Sequence, residues 1–383
     1  MQRTIFTEDH DAFRDSVRQF IAKEITPNLP EWEAQGFIPR DFYKKTAEIG
    51  INGLQVPEEY GGGGIDSFLF NTVVYEEIGY AAASLGGFQV HLNTVLPYFL
   101  EYCNDEQRRR WFPSFADGGL VSAIAMTEPG IGSDLAGVTT TAAVRDGDDY
   151  VLNGNKTFIT GGINADLVIV VARTSKDPEN RRKGLSLLVV EGDMAGFIRG
   201  RNLHKIGMKS SDTAELTFDN VRVPVRNLLG AEGAAFGMLA HNLPQERLSI
   251  AITGIATATA AVNLAIDYAK ERQVFGKPLA DFQNTKFVLA ECSTEIQAGQ
   301  ALIDQALIAL DAGTLTPADA ARVKLFCTEV QARVIDKCLQ VHGGYGYMSE
   351  YPIARLYADA RVTRIFGGTS EVMKSVISKS MGL

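Results

Sequence analysis

Apolar positions recur with a helical period through the first third of the chain. Phe13, Val17, Phe20 and Ile21 follow the i, i+4, i+7, i+8 spacing that places side chains on one helix face. With glycine, proline and capping residues as boundaries, the same reasoning predicts further helices at 39–49, 66–84, 88–102 and 104–115. This pattern predicts an N-terminal helical domain.

The pattern changes near residue 118. From there to residue 229, short β-branched runs alternate with turn signals such as Gly147-Asp148 and Asn153-Gly154. The predicted strands lie at 121–126, 139–144, 150–153, 157–160, 167–172, 185–191 and 215–218. No helical pattern separates them and no GxGxxG motif follows a strand, which argues against a nicotinamide dinucleotide fold. We expect an antiparallel barrel or sandwich.

Helical periodicity returns after residue 230. Long segments with few turn residues lie at 236–272, 281–312 and 317–342, with a shorter one at 370–380. Thr316 and Pro317 are residue types favoured at an N-cap and at the first helical position. Helices of similar length joined by short loops are typical of an antiparallel four-helix bundle. The predicted fold class is therefore α+β, with helical, β and helical domains at 1–118, 119–229 and 230–383.

Composition and charge narrow the classes of function. The 383 residues are 45% apolar and 22% charged, as in soluble globular proteins. The net charge of −9, without a basic patch, argues against nucleic-acid binding. The four cysteines and five histidines do not fall at metal-ligand spacings, so we expect neither a metal nor a disulfide framework.

Targeting patterns are also missing from the sequence as it stands. No run of about 18 consecutive apolar residues is present, so no membrane span is predicted. Residues 1–13 show neither a signal-peptide nor a transit-peptide pattern. We therefore expect a cytoplasmic protein, most simply a bacterial one.

The stretch 125–134 is the clearest candidate for ligand binding. It follows a predicted buried strand, and Gly130 and Gly132 allow backbone N–H groups to approach a ligand closely. Thr127 and Ser133 add hydroxyl donors, an arrangement that suits a phosphate or an electron-poor ring. The same residues are also compatible with an ordinary strand exit built on Glu-Pro-Gly turn chemistry. This stretch alone does not decide between the two interpretations.

Five motifs, in order along nearly the whole chain, carry a family resemblance. They are Met126-Thr127-Glu128-Pro129-x-x-Gly132-Ser133-Asp134, Asn153-Gly154-x-Lys156 through Phe158-Ile159-Thr160, Arg272-x-x-Phe275-Gly276-Lys277-Pro278, Gln340-x-x-Gly343-Gly344-x-Gly346-Tyr347 and Gly368-Thr369-Ser370-Glu371. With the predicted three-domain order, they resemble the acyl-CoA dehydrogenase family. The run Pro244-Gln245-Glu246-Arg247 is most similar to the long-chain branch of that family.

The resemblance implies FAD as the cofactor. In the family, residues of the β domain donate hydrogen bonds to the flavin and flank its ring, and the matching residues here are Met126, Thr127, Gly132, Ser133, Phe158, Ile159 and Thr160. A neighbouring subunit contacts the pyrophosphate and adenosine, and the matching residues are Arg272, Gln283, Gln340, Val341, Gly343 and Gly344. Further cofactor-binding positions implied by the motifs are Phe275, Thr369 and Glu371.

Shared cofactor sites imply a homo-oligomer, with a dimer of dimers as the usual family assembly. The family also implies electron-transferring flavoprotein as the electron acceptor. Taken alone, Arg272 is better explained as a surface cation at a helix end, and Gly343-Gly344 could be merely a helix stop. Only their place in the ordered set of motifs favours cofactor binding.

This chain differs from many family members in the position of its catalytic base. The chemistry removes an α-proton from a thioester while hydride leaves the β-carbon, and a carboxylate is the natural base. Many members carry it just before the Gly-Thr-Ser turn, where this chain has Gly367. The long-chain and isovaleryl branches have Glu on an earlier helix instead, which matches Glu246 here. We predict that Glu246 is the catalytic base, with its pKa raised by desolvation and that rise opposed by Arg247.

The acyl-CoA substrate is predicted to lie between this base and the glycine-rich turn. Its predicted contacts are Ser133, Pro244, Gln245, Arg247, Gly367 and Gly368. By family pattern, the thioester carbonyl meets a backbone N–H at the Gly367-Gly368 turn, in the manner of an oxyanion hole. The predicted reaction is α,β-dehydrogenation of medium- to long-chain acyl-CoA, branched chains included, to trans-2-enoyl-CoA.

Two alternatives stay open at this point. One is a flavin oxidase or monooxygenase on the same fold, which needs no carboxylate base; the presence of Glu246 weighs against it. The other is a catalytically silent subunit that binds acyl thioesters, which Gly367 permits.

Overall fold

The computed structural model describes residues 3–138 and 141–383. The first part of the chain is helical, as predicted. Its helices are α1 (Glu8–Phe20), α2 (Leu29–Gln35), α3 (Arg40–Glu48), α4 (Leu69–Tyr80), α5 (Gly86–Val90), α6 (Leu96–Tyr102) and α7 (Asp105–Ala116). A π-helical turn, His91–Val95, joins α5 to α6, so that 86–102 is continuous where the pattern predicted a helix at 88–102.

The middle of the chain forms a β-sheet. Its strands are β1 (Ser122–Ala125), β2 (Ala142–Asp146), β3 (Asp149–Thr160), β4 (Leu167–Arg173), β5 (Leu185–Glu191), β6 (Phe197–Asn202), β7 (Thr213–Pro224) and β8 (Leu228–Leu229). The order across the sheet is β6-β7-β3-β2-β4-β5-β8, and β1 pairs with β4. Thr139 and Thr140, which begin the strand predicted at 139–144, lie outside the described residues.

The sheet differs from the prediction in two ways: some strand pairs are parallel, and the strands themselves are not all those predicted. Most neighbouring strands are antiparallel, but β1 runs parallel to β4, with Ile124 opposite Ile169. The pairing of β2 with β4 is also parallel. A parallel neighbour requires a long crossover, and here β2 and β3 intervene between β1 and β4. The strands predicted at 150–153 and 157–160 are one strand, β3, and β6 was not predicted.

The last part of the chain is again helical. It contains α8 (Ala235–Glu271), the hairpin strands β9 (Gln273–Val274) and β10 (Lys277–Pro278), and then α9 (Gln283–Asp311), α10 (Pro317–His342), α11 (Pro352–Ala360) and α12 (Ser370–Ser380). The long helices α8, α9 and α10 pack against one another, and α12 packs on α10. The predicted α+β class with helical, β and helical parts is confirmed, although α11 was not predicted.

Helix α8 is the central element of the molecule. It contacts α4 of the first part as well as α9 and α10. Among the helices of the described residues, α8 alone is long and apolar enough to cross a membrane by length and composition. The fold buries 72% of its most apolar stretch, so this apolar surface serves as a core against the neighbouring helices.

Candidate active site

The loop that follows β1 is fixed by hydrogen bonds from β3, and its outer face is exposed to solvent. The Lys156 ammonium donates to the Met126 carbonyl at 2.9 Å, and the Thr157 N–H donates to the Thr127 carbonyl at 3.0 Å. An added Cβ at Gly132 would meet no atom within 4 Å, and Ser133 beside it is exposed. The predicted donor residues therefore lie on a fixed loop whose outer face is accessible to a ligand.

A buried ion pair supports this loop. The Lys156 ammonium lies 3.2 Å from the Glu128 carboxylate, and both side chains are fully buried. Glu128 also accepts a hydrogen bond from the Thr141 N–H at 2.9 Å. Burial lowers the pKa of Lys156 to about 8, against the opposing effect of Glu128. The sequence interpretation gave Glu128 a turn role only and missed this pair; Lys156, two residues before Phe158, was the available signal.

Phe158 projects from an irregularity in β3. The pairing of β3 with β7 shifts register between Lys156 and Ile159, and Phe158 has a φ of +59°. A bulge of this kind redirects a side chain, and here the Phe158 ring is 68% exposed while Ile159 is buried. Positive φ is costly for a residue with a β-carbon, and such strain is typical of functional sites. The bulge thus presents a flat aromatic surface, and Thr160 ends the same strand.

Glu246 on α8 faces the turn at Gly367. A Cβ built at Gly367 would lie 3.4 Å from the Glu246 Oε1 and 2.4 Å from the Ile250 Cδ1. The turn therefore packs closely against α8, and the Glu246 carboxylate is next to the space that a side chain at 367 would enter once the end of Ile250 moved. Burial raises the pKa of Glu246, against the opposing charges of Arg247 and Lys324.

Cations from two helices hold the carbonyl groups of this turn. The Lys324 ammonium, from α10, donates to the Phe366 carbonyl at 2.5 Å and also to the Gly368 carbonyl. The Arg247 Nε donates to the Gly367 carbonyl at 3.4 Å. The sequence interpretation did not single out Lys324. The sequence carried no clear signal, because the buried face of α10 also includes the polar residues Thr328 and Gln331.

Other predicted substrate and cofactor residues lie around this turn. Pro244 is buried inside α8, and the Gln245 Nε2 is buried without an acceptor among the described residues. Thr369 caps α12, since its hydroxyl accepts from the Val372 N–H at 3.2 Å. Glu371 is exposed in the first turn of that helix, and a backbone hydrogen bond lowers its pKa.

The remaining predicted cofactor residues form a second cluster at the ends of α8 and α10. A cavity of about 490 Å³ is lined by Arg272, Val341, Gly343 and Gly344, among others. A Cβ added at either glycine would meet no atom within 4 Å, so both leave the cavity wall open. Arg272 lies over the Tyr345 ring, 5.8 Å from its centroid.

Three more predicted cofactor residues, Phe275, Gln283 and Gln340, are exposed and lie near the cavity-lining residues in the sequence. Phe275 and Gly276, at φ of +50° and +81°, form the two-residue turn between β9 and β10. The Phe275 ring is 93% exposed. Gln283 begins α9 and Gln340 lies near the end of α10, and both are exposed.

The two clusters fit the chemistry of FAD. The first offers a fixed loop with accessible backbone and hydroxyl donors beside an exposed aromatic ring, which suits a flavin ring. The second is a concave, glycine-walled cavity with a guanidinium, which suits a pyrophosphate. Among the described residues, no group of three or more His, Cys, Asp or Glu side chains could hold a metal ion.

Family comparisons cover each part of the chain. The N-terminal domain of acyl-CoA dehydrogenase matches residues 7–119, its middle domain matches residues 123–221, and its C-terminal domain matches residues 234–382.

Individual relatives agree over the full length. The mitochondrial long-chain specific acyl-CoA dehydrogenase of Sus scrofa is 43% identical over 379 residues, which covers 99% of this chain and 88% of the relative. An acyl-CoA dehydrogenase structure from Geobacillus kaustophilus matches with a TM-score of 0.97 at 43% identity and covers 100% of both chains. A glutaryl-CoA dehydrogenase from Mycobacterium smegmatis, solved in complex with FADH2, matches with a TM-score of 0.89 at 28% identity, covering 98% of this chain and 95% of that one.

These matches confirm the predicted family, its enzyme class and its cofactor: acyl-CoA dehydrogenases are FAD-dependent oxidoreductases. The chain belongs to the acyl-CoA dehydrogenase family.

Proposed function

We propose that this protein oxidises medium- to long-chain acyl-CoA thioesters, branched chains included, to trans-2-enoyl-CoA, with Glu246 as the catalytic base. One observation carries the proposal. The Glu246 Oε1 lies 3.4 Å from the Cβ position of residue 367, where many family members carry their base and this chain has glycine. A carboxylate on α8 therefore reaches the same region of the site as a carboxylate on the turn would.

The chain's own residues account for the proton transfer. The Glu246 carboxylate takes the α-proton, and the C–H electron pair forms the double bond as hydride leaves the β-carbon. When bound, FAD supplies the hydride acceptor. Burial raises the pKa of Glu246 and so makes its carboxylate a stronger base, while the charges of Arg247 and Lys324 oppose that rise.

The proposed chain length, oligomeric assembly and electron acceptor are supported by the relatives and by the second cluster of cofactor residues. A relative with 43% identity is long-chain specific, which supports the proposed chain length and a role in fatty acid β-oxidation. The cavity at Arg272 and Gly343 supports a cofactor site shared between subunits of a homo-oligomer, a dimer of dimers in the usual family assembly. Electron-transferring flavoprotein is the proposed electron acceptor because it fits the family, and a cytoplasmic location stays a prediction.

Anaerobic reduction of the purified yellow protein tests this function. Acyl-CoA thioesters from butyryl to stearoyl are added in turn, and flavin absorbance and enoyl-CoA formation are followed. We expect bleaching with stoichiometric enoyl-CoA, fastest with the longer chains. Rapid reoxidation of the bleached protein in air would indicate an oxidase instead. Bound flavin that no acyl-CoA bleaches, or a protein without flavin, would indicate a silent binding subunit.

A further inference from the structure

Lys324 is a buried cation with an unusual set of partners. It is 1% exposed, in the third turn of α10. Its ammonium donates to the carbonyl groups of Phe366 and Gly368, the residues on either side of Gly367. Lysine is rarely buried to this degree without a carboxylate in direct contact. A side chain that needed only to fill this space would not require a charge.

The two carbonyl contacts fix the direction of backbone N–H groups. In a planar trans peptide the C=O and the N–H point in opposite directions. Because the Phe366 carbonyl points at Lys324, the N–H of Gly367 points away from it. The same holds for the Gly368 carbonyl and the N–H of Thr369. Positive φ at Gly367 and Gly368, +61° and +95°, lets both carbonyls face a single ammonium.

The Gly367 N–H is free for a ligand. Within residues 3–138 and 141–383, no backbone or side-chain acceptor receives its hydrogen bond. The opposite side of the turn is fixed as well, since the Arg247 Nε donates to the Gly367 carbonyl. The Glu246 carboxylate lies beside the same residue. An unsatisfied, fixed donor therefore sits next to the proposed base.

We propose that Lys324 is a positioning residue that holds the Gly367 N–H toward the thioester carbonyl of the substrate. This inference rests on the proposed dehydrogenation. As the α-proton moves to Glu246, negative charge develops on the carbonyl oxygen, and a donor fixed beforehand stabilises it without reorganisation. Lys324 does not touch the substrate. It acts through the backbone of the turn.

The test compares Lys324→Met, which keeps an unbranched side chain as far as Cε but loses every donor, with the wild-type holoenzyme. The control is Thr328→Val, one turn further along α10, which is also buried and bonds only carbonyls of its own helix. FAD content and thermal unfolding are recorded for each protein. The probe is a trans-2-enoyl-CoA labelled with carbon-13 at its carbonyl, of the chain length that bleaches wild type fastest, and its carbonyl stretch is measured by infrared difference spectroscopy.

We expect the stretch to shift to lower frequency on binding wild type and Thr328→Val. The shift should be largely lost in Lys324→Met, together with a fall in kcat of about 10²- to 10³-fold and a smaller change in KM. A Lys324→Met protein that retains FAD and the wild-type carbonyl shift overturns the proposal.

If Lys324→Met does not fold with FAD, Lys324→Gln is measured instead, because its uncharged amide is one bond shorter than the lysine side chain and holds the two carbonyls less firmly. A partial loss of the shift supports the proposal, and an undiminished shift overturns it. Wild type that no acyl-CoA bleaches would overturn the proposed function itself. Wild type that is bleached, with a shift independent of residue 324, overturns only the role of Lys324.

Discussion

Two separate constraints favour glycine at position 367. Its φ of +61° lies in the region that L-residues avoid. A Cβ would also lie only 2.4 Å from the Ile250 Cδ1. Both the backbone conformation and the packing of Ile250 therefore favour glycine where Glu246 approaches the turn.

Gly367→Ala is expected to lower the free energy of unfolding by about 2 to 4 kcal/mol, from backbone strain and overpacking together. Gly313→Ala separates the two causes, because Gly313 has a similar φ of +66° with no atom within 4 Å of an added Cβ. That control should lose only about 1 kcal/mol, the backbone part. Urea unfolding measures both, and equal losses would contradict the close contact with Ile250.

The raised pKa of Glu246 carries a prediction about stability. A carboxyl group whose pKa is higher in the folded state stabilises the fold below its unfolded pKa, and that contribution is lost as pH rises through the folded pKa. The glutamine side chain of the Glu246→Gln variant carries no charge at any pH. The variant should therefore be more stable than wild type at about pH 7.5, with the difference narrowing toward about pH 5.

Chemical unfolding across that pH range measures the difference. Asp267→Asn removes a carboxylate from the exposed face of the same helix and serves as the control. A Glu246→Gln protein less stable than wild type at neutral pH would show that the carboxylate is well solvated or well paired.

At the scale of elements, the buried pair of Lys156 and Glu128 joins β3 to the loop after β1. Lys156→Met removes the cation that is paired with the buried Glu128 carboxylate, which should cost about 3 to 5 kcal/mol. The double variant Lys156→Met with Glu128→Gln removes both charges and keeps the acceptor for the Thr141 N–H. It should recover much of the loss in urea unfolding. A double variant no more stable than the single one would show that the charge pair is not the main contribution.

The long helices were predictable because their apolar positions are periodic, and the buried strands because they are continuous apolar runs bounded by turn residues. Helix α8, predicted at 236–272, spans Ala235–Glu271, and α10 matches its prediction at both ends. Strand β6 was not predicted because Phe197–Asn202 contains two arginines and a glycine and shows no clean alternation of apolar and polar residues. The parallel pairing of β1 with β4 was not predicted either. Strand direction depends on the path of the chain between the strands, and the local sequence pattern does not reveal that path.

The same limit applies to the site. Glu246 and Gly367 could be paired from motifs, and the structure brings them together. Lys324 could not be recognised, because a lysine in a helix has the same local pattern whether it is solvated or buried. Its partners lie 42 and 44 residues further along the chain, so its role depends on tertiary packing.

At the scale of the whole molecule, the predicted cofactor residues form two clusters, and we propose that each binding site combines clusters from two subunits. Subunits carrying Glu246→Gln and subunits carrying Arg272→Ala are then complementary, because a mixed dimer contains one site with both residues intact. Each variant alone should be inactive. Random reassembly of a one-to-one mixture should restore about a quarter of wild-type activity.

Activity after unfolding and joint refolding of the two variants with FAD measures this complementation. Refolding each variant separately and then combining the products controls for simple mixing. If joint refolding restores nothing while both variants still assemble, the cofactor site is formed within one subunit.

The proposed reaction depends on Glu246 as the base, and the rate of anaerobic flavin bleaching in Glu246→Gln tests this role most directly. The variant should retain FAD, and its bleaching by the best acyl-CoA should slow by about 10²- to 10⁴-fold, since the carboxamide cannot take the α-proton. Asp267→Asn, the exposed carboxylate on the same helix, should bleach at the wild-type rate. A Glu246→Gln protein that binds FAD and bleaches as fast as wild type would contradict the account.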